Sequence, residues 1–84
     1  MKKTQTDKAK EEVTDPRLQA IGDKIRKLRI QSGYTSYETF AFEKEINRIQ
    51  YARMENGANI TLKSLLKIID IHDLTLEGFF KGLK

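Results

Sequence analysis

Apolar side chains at Leu18, Ile21, Ile25 and Leu28 recur at the spacing of one helix face. Asp15-Pro16 stands where an N-cap and a first-turn proline belong, and Gly33 supplies the C-terminal stop. A second helix is predicted to start near Thr35 or Ser36. Thr35 with Glu38 fits a capping box, Ser36 is an equally good cap, and Phe40 and Ala41 turn inward. The pattern breaks around Glu45-Ile46-Asn47. Asn47 then caps a third helix, with Gln50 placed three residues on to answer it, and Asn56-Gly57 ends it. Thr61 caps a fourth helix with the stripe Leu62, Leu65, Leu66 and Ile69. Thr75 caps a short fifth carrying Leu76, Phe79, Phe80 and Leu83. No alternating run is long enough for a strand, and no segment repeats. The pattern therefore predicts an all-α, five-helix domain over residues 15–84. Residues 1–14 have only Met1, Ala9 and Val13 as apolar side chains. They read as a polar flexible tail, because so little apolar surface cannot offset the entropy of ordering it.

Composition narrows the chemistry. The 84 residues contain no cysteine and one histidine, His72, which excludes a disulfide scaffold, a thiolate zinc site and a multi-histidine metal site. There is no glycine-rich phosphate loop and no recognisable pair of catalytic carboxylates, so a non-enzyme without metal or cofactor is expected. No apolar run approaches the roughly 20 residues of a membrane span. The lysines after Met1 are followed by no apolar stretch, so no secretory signal is read and a cytoplasmic location is expected. The net charge of +4 is mild. It is not evenly spread: residues 17–31 hold Arg17, Lys24, Arg26, Lys27 and Arg29 against the single acid Asp23. The first helix therefore carries the positive surplus.

Two short helices separated by a turn near Glu45 have the spacing of a helix-turn-helix. Here the sequence resembles the lambda-repressor-like helix-turn-helix domains of phage repressors, Cro-type proteins and the Xre group of bacterial regulators. The resemblance runs from about Ile21 to Phe80. It is carried by Ile25-Arg26-Lys27-Leu28-Arg29, Phe40-Ala41, Ile46-Asn47, Arg53-Met54-Glu55-Asn56-Gly57, Leu62 to Ile68 and Leu74 to Phe80. It implies a lambda-repressor-like DNA-binding fold, double-stranded DNA as partner, and an Arg29–Glu55 salt bridge between the first and third helices. Three departures from the family pattern stand out. Glu45 occupies the turn where glycine is usual, Tyr37 stands where a phosphate-touching Gln is usual, and the stretch from Gly33 to Ala41 is one residue longer.

The third helix, residues 47–56, has the size to enter the major groove, where its N-terminal part meets base edges. Arg48, Ile49, Gln50 and Arg53 are its expected outward positions and candidate base contacts, with Tyr51 and Met54 inward. Arg suits guanine, Gln suits adenine, and an aliphatic side chain can touch a thymine methyl. Residues 36–57 hold three basic and four acidic side chains, so electrostatics alone would not bring this helix to DNA. Phosphate attraction must come largely from the first helix. The candidate phosphate contacts are Lys27, Arg29, Tyr37 and Asn56. Tyr37 reads equally as a packing residue, and Asn56 is first a helix stop. Phe79, Phe80 and Leu83 overfill a small core and are expected in part in a homodimer interface. Three functions follow. The leading one is a sequence-specific transcriptional regulator acting as a homodimer. The others are an antitoxin that binds a toxin and represses its own operon, and a protein-interaction module on the same fold.

Overall fold

The computed structural model describes residues 15–83, so the predicted tail, residues 1–14, lies outside them. Five α-helices make up the described chain: α1 (Pro16–Gln31), α2 (Tyr37–Glu43), α3 (Arg48–Glu55), α4 (Leu62–Ile71) and α5 (Leu76–Phe80). No strand occurs among the described residues. Every helix begins on a side-chain cap. The Asp15 carboxylate accepts from the Arg17 N–H, Ser36 from Thr39, Asn47 from Gln50, Thr61 from Ser64 and Thr75 from Gly78. Ser36 is thus the cap of α2. Thr35 is outside the helix, and Glu38 sits one position too early to close a capping box.

Four helices end in the same way. The residue after the C-cap adopts a left-handed conformation, and its amide and that of the following residue donate back to last-turn carbonyls. At α1 and α3 that residue is Gly33 (φ 96) and Gly57 (φ 87). At α2 and α4 it is Glu45 (φ 59) and Asp73 (φ 58), where a side chain occupies a region that favours glycine. The turn of the helix-turn-helix keeps its geometry without glycine: Glu45 donates its amide to the Phe42 carbonyl, Ile46 donates to Ala41, and Lys67 Nζ caps the Glu45 carbonyl at 3.2 Å.

The core gathers Ile25 of α1, Phe40 and Ala41 of α2, Tyr51 and Met54 of α3, Leu65, Ile68 and Ile69 of α4, and Phe79 of α5. Phe40 is its hub. Its ring lies 5.1 Å from those of Tyr34 and Tyr51 and stacks on His72 at 5.5 Å. Two expectations are corrected here. The buried stripe of α4 is Leu65, Ile68 and Ile69, while Leu62 and Leu66, which flank it, are exposed. Leu62 is the first residue of the helix, and Leu66 sits at the outer edge of the apolar face. And α5 stops at Phe80, because Lys81 turns extended and Gly82 (φ 86) follows, so Leu83 is outside the helix.

Helix α3 is clamped between α1 and α2. The approach to α1 is close enough that Gly22 has no space for a side chain: a Cβ there would stand 2.7 Å from the Met54 carbonyl oxygen and 2.8 Å from that of Glu55.

Candidate nucleic-acid interface

The C-terminal end of α3 is fixed by charge. Glu55 and Arg29 are both buried, with side chains 4% and 7% exposed. Arg29 donates from Nε to Glu55 Oε2 at 2.7 Å and from Nη2 to Oε1 at 3.1 Å, a two-pronged contact that matches the two planar groups. Its Nη1 donates to the Tyr34 carbonyl at 2.8 Å, tying the α1–α2 connection to the same pair. Arg26 adds a second cation, 3.5 Å from Glu55 Oε1. Burial alone would raise the Glu55 pKa. The Arg29 guanidinium outweighs it, with the Tyr51 hydroxyl and Arg26 assisting, and the carboxyl is held below its ordinary value. The Tyr51 hydroxyl sits near this carboxylate without hydrogen-bond geometry, and burial, then Glu55, pushes its pKa up.

This arrangement corrects one assignment. Arg29 is not placed as a phosphate contact, because it is buried and three of its N–H groups bond Glu55 and Tyr34 inside the protein. Arg26, one helical turn earlier on the same face, was not singled out from the sequence. Its three-residue spacing from Arg29 was the available signal.

The outward face of α3 is open. Arg48, Ile49, Gln50 and Arg53 are all exposed, Ile49 to 67%, while Tyr51 and Met54 are buried. Arg48 and Ile49 border a groove completed by Glu38, Phe42, Ile46 and Asn47. Asn47 Oδ1 accepts the Gln50 N–H at 2.9 Å. The Gln50 side chain does not return to Asn47, as a capping box would require. Its Nε2 donates instead to Ser64 Oγ on α4, at 3.2 Å. Residues 61 and 64, at the start of α4, therefore join the surroundings of α3, a proximity that no local pattern in the sequence encodes.

The remaining candidates are dispersed. Tyr37 opens α2, half-buried against the core. Asn56 is the exposed C-cap of α3. Lys27 lines a different groove, with Ala20, Asp23, Lys24, Gly82 and Leu83, and no outward residue of α3 lines it. Phe79 is fully buried in the core and is not an interface residue, whereas Phe80, edge-on to it at 5.1 Å, is 40% exposed and Leu83 is half-buried. One core position is enough to absorb Phe79, which leaves Phe80 outside. No helix among the described residues is long and apolar enough to cross a membrane.

Comparison with known proteins agrees with this geometry. The model of a helix-turn-helix family matches residues 25–79, from the middle of α1 into α5. Control protein C.MunI of Mycoplasma sp is 34% identical over 65 residues, which cover 76% of this chain and 88% of that protein. No solved structure matches.

Proposed function

The chain belongs to the helix-turn-helix family of DNA-binding transcription regulators, and we propose that it reads a specific operator with the outward face of α3 in the major groove. The observation that carries this reading is the division of α3. Its inner face, with Tyr51, Met54 and Glu55, is buried, and Arg48, Ile49, Gln50 and Arg53 are exposed on the outside. A helix so held offers two guanidinium groups, an amide and an aliphatic side chain to base edges in a fixed frame. Likeness to a protein named as a control protein supports a regulatory role. Tyr37 at the start of α2 and Asn56 at the end of α3 are the proposed phosphate neighbours, and Lys27 contributes through the positive charge of α1.

We further propose a homodimer. A single recognition helix buries little surface, and α5 leaves Leu76 and Phe80 exposed beside Leu83. Two copies would read half-sites about 34 Å apart. Sedimentation at tens of micromolar should give a dimer that Phe80→Ser weakens. A monomeric wild type would remove this part of the proposal.

The reading is tested by selecting bound sequences from a random duplex pool at fixed salt. Arg53→Ala should cost roughly 1–3 kcal/mol on the selected site and relax preference at one or two positions. Lys27→Ala should weaken all sequences alike and lower the salt slope by about one. Equal loss on selected and random DNA for Arg53→Ala would mean that α3 rests on the backbone without reading bases.

A further inference from the structure

Gln50 is the one proposed base reader whose side chain is hydrogen-bonded to another helix among the described residues. Its Nε2 donates to Ser64 Oγ at 3.2 Å. Thr61 Oγ1, the N-cap of α4, donates to the same Ser64 oxygen at 3.0 Å and accepts the Ser64 backbone N–H at 3.1 Å. The Ser64 oxygen thus receives two donors and is fixed by a local ring with Thr61. The base of Gln50 is fixed as well, since its own N–H is held by Asn47 Oδ1 at 2.9 Å.

A glutamine amide has two N–H donors and one carbonyl acceptor. Commitment of the N–H trans to Oε1 to Ser64 leaves the other N–H and Oε1 together on the free edge of the amide. One donor beside one acceptor is the pattern that pairs with adenine N7 and N6–H. An unanchored glutamine samples many rotamers and must order on binding. We infer that Ser64, on α4, is a positioning residue for base reading by Gln50: its hydroxyl orients the Gln50 amide so that the carbonyl and the second N–H face an adenine edge. The inference rests on the proposal that α3 reads bases, and it adds that α4 sets one letter of the specificity without touching a base.

The test uses the full chain and a randomised DNA duplex pool. Base preference is measured at each position for wild type, Gln50→Ala, Ser64→Ala and Ser64→Thr. Ser64→Ala keeps the α4 cap, because Thr61 still accepts the backbone N–H of residue 64. Gln50→Ala identifies the positions that Gln50 reads. At those positions Ser64→Ala should lower the preference for adenine roughly threefold to tenfold, the worth of one neutral hydrogen bond. Positions read by Arg48 and Arg53 should keep their preferences. Ser64→Thr, which retains the acceptor oxygen, should restore the wild-type profile. A profile of Ser64→Ala identical to wild type overturns the inference, as does an equal loss at every position. If the wild type selects sequences and Gln50→Ala changes none of them, the inference fails and the DNA-reading proposal stands. If the wild type selects no sequence, the proposal itself fails.

Discussion

The two ends of α3 differ in almost every physical respect. At its C-terminal end Met54 and Glu55 are buried, Glu55 is bonded twice to Arg29, and the backbone passes so close to α1 that only glycine fits at position 22. At its N-terminal end Arg48, Ile49 and Gln50 are exposed, and the Gln50 amide bonds Ser64 on α4. One end is committed to the protein and the other is left for a partner. The difference shows how an eight-residue helix can be both rigid and available. A helix this short has little stability of its own, so its orientation must come from tertiary contacts. Those contacts lie on its inner face and at Glu55, away from the exposed side chains.

The comparison breaks most visibly at Glu55. Glu55→Ala would leave the Arg29 guanidinium buried without its counter-charge and should cost about 3–5 kcal/mol of unfolding free energy. Arg48→Ala at the open end should change stability by less than about 0.5 kcal/mol while weakening DNA binding. Urea unfolding of the two variants checks the contrast directly. Near-equal effects on stability would show that the two ends are not so divided.

Gly22→Ala should come next. Mid-helix alanine is ordinarily favoured over glycine by up to about 1 kcal/mol. Here the added methyl would meet the backbone of Met54, Glu55 and Gly57 within 3 Å, and backbone cannot step aside as a side chain can. The net result should be a loss of about 1–3 kcal/mol with α3 displaced from α1. A melting temperature above that of the wild type would show that the two helices can separate without cost.

Glu45→Gly works in the opposite direction. The left-handed φ of Glu45 is needed by the turn between α2 and α3, and removing its Cβ should stabilise the fold by about 1 kcal/mol. Thermal melting measures the gain. Asp73, with nearly the same φ at the end of α4, provides an independent repeat of the measurement.

These positions also show why the sequence was legible in some places and not in others. Asp15, Asn47, Thr61 and Thr75 announce their helices because capping is a local act: a side chain bonds an amide two or three residues ahead. Gly33 and Gly57 announce helix ends for the same reason. Glu45 and Asp73 end helices in the same geometry, yet neither residue type announces a left-handed conformation as glycine does. Position 22 reads as a neutral glycine until α3 is laid across it. In α4, Leu62 and Leu66 were grouped with Leu65 because an apolar residue does not declare which face is buried. The outward side of α3 was legible from the inward turn of Tyr51 and Met54. The Ser64 anchor was not, since it joins residues 14 apart in sequence.

The smallest expected effect lies at His72, in the committed part of the molecule. Its ring stacks on Phe40, Nδ1 lies 3.4 Å from Ser32 Oγ at the end of α1, and Nε2 is buried with no partner among the described residues. Burial, and then the charge of Lys44 on the α2 C-cap, hold its pKa below the ordinary value. The folded chain therefore favours the neutral ring, and the unfolded chain takes up a proton first. The stability that His72 contributes is fully present above its unfolded pKa near 6.5 and declines as the pH falls below it. Glu55, with a depressed pKa, loses its contribution only in the lower range where carboxylates titrate, so the two effects separate. Denaturant unfolding at about pH 7.5 and pH 5.5 should show a modest loss for the wild type that His72→Gln, neutral at both values, abolishes. At a temperature where the chain stays folded, the preferred DNA sequence should be the same at both pH values. A change in sequence preference that His72→Gln removes would mean that the buried end of the molecule governs the open one, and the division of α3 into two independent ends would have to be abandoned.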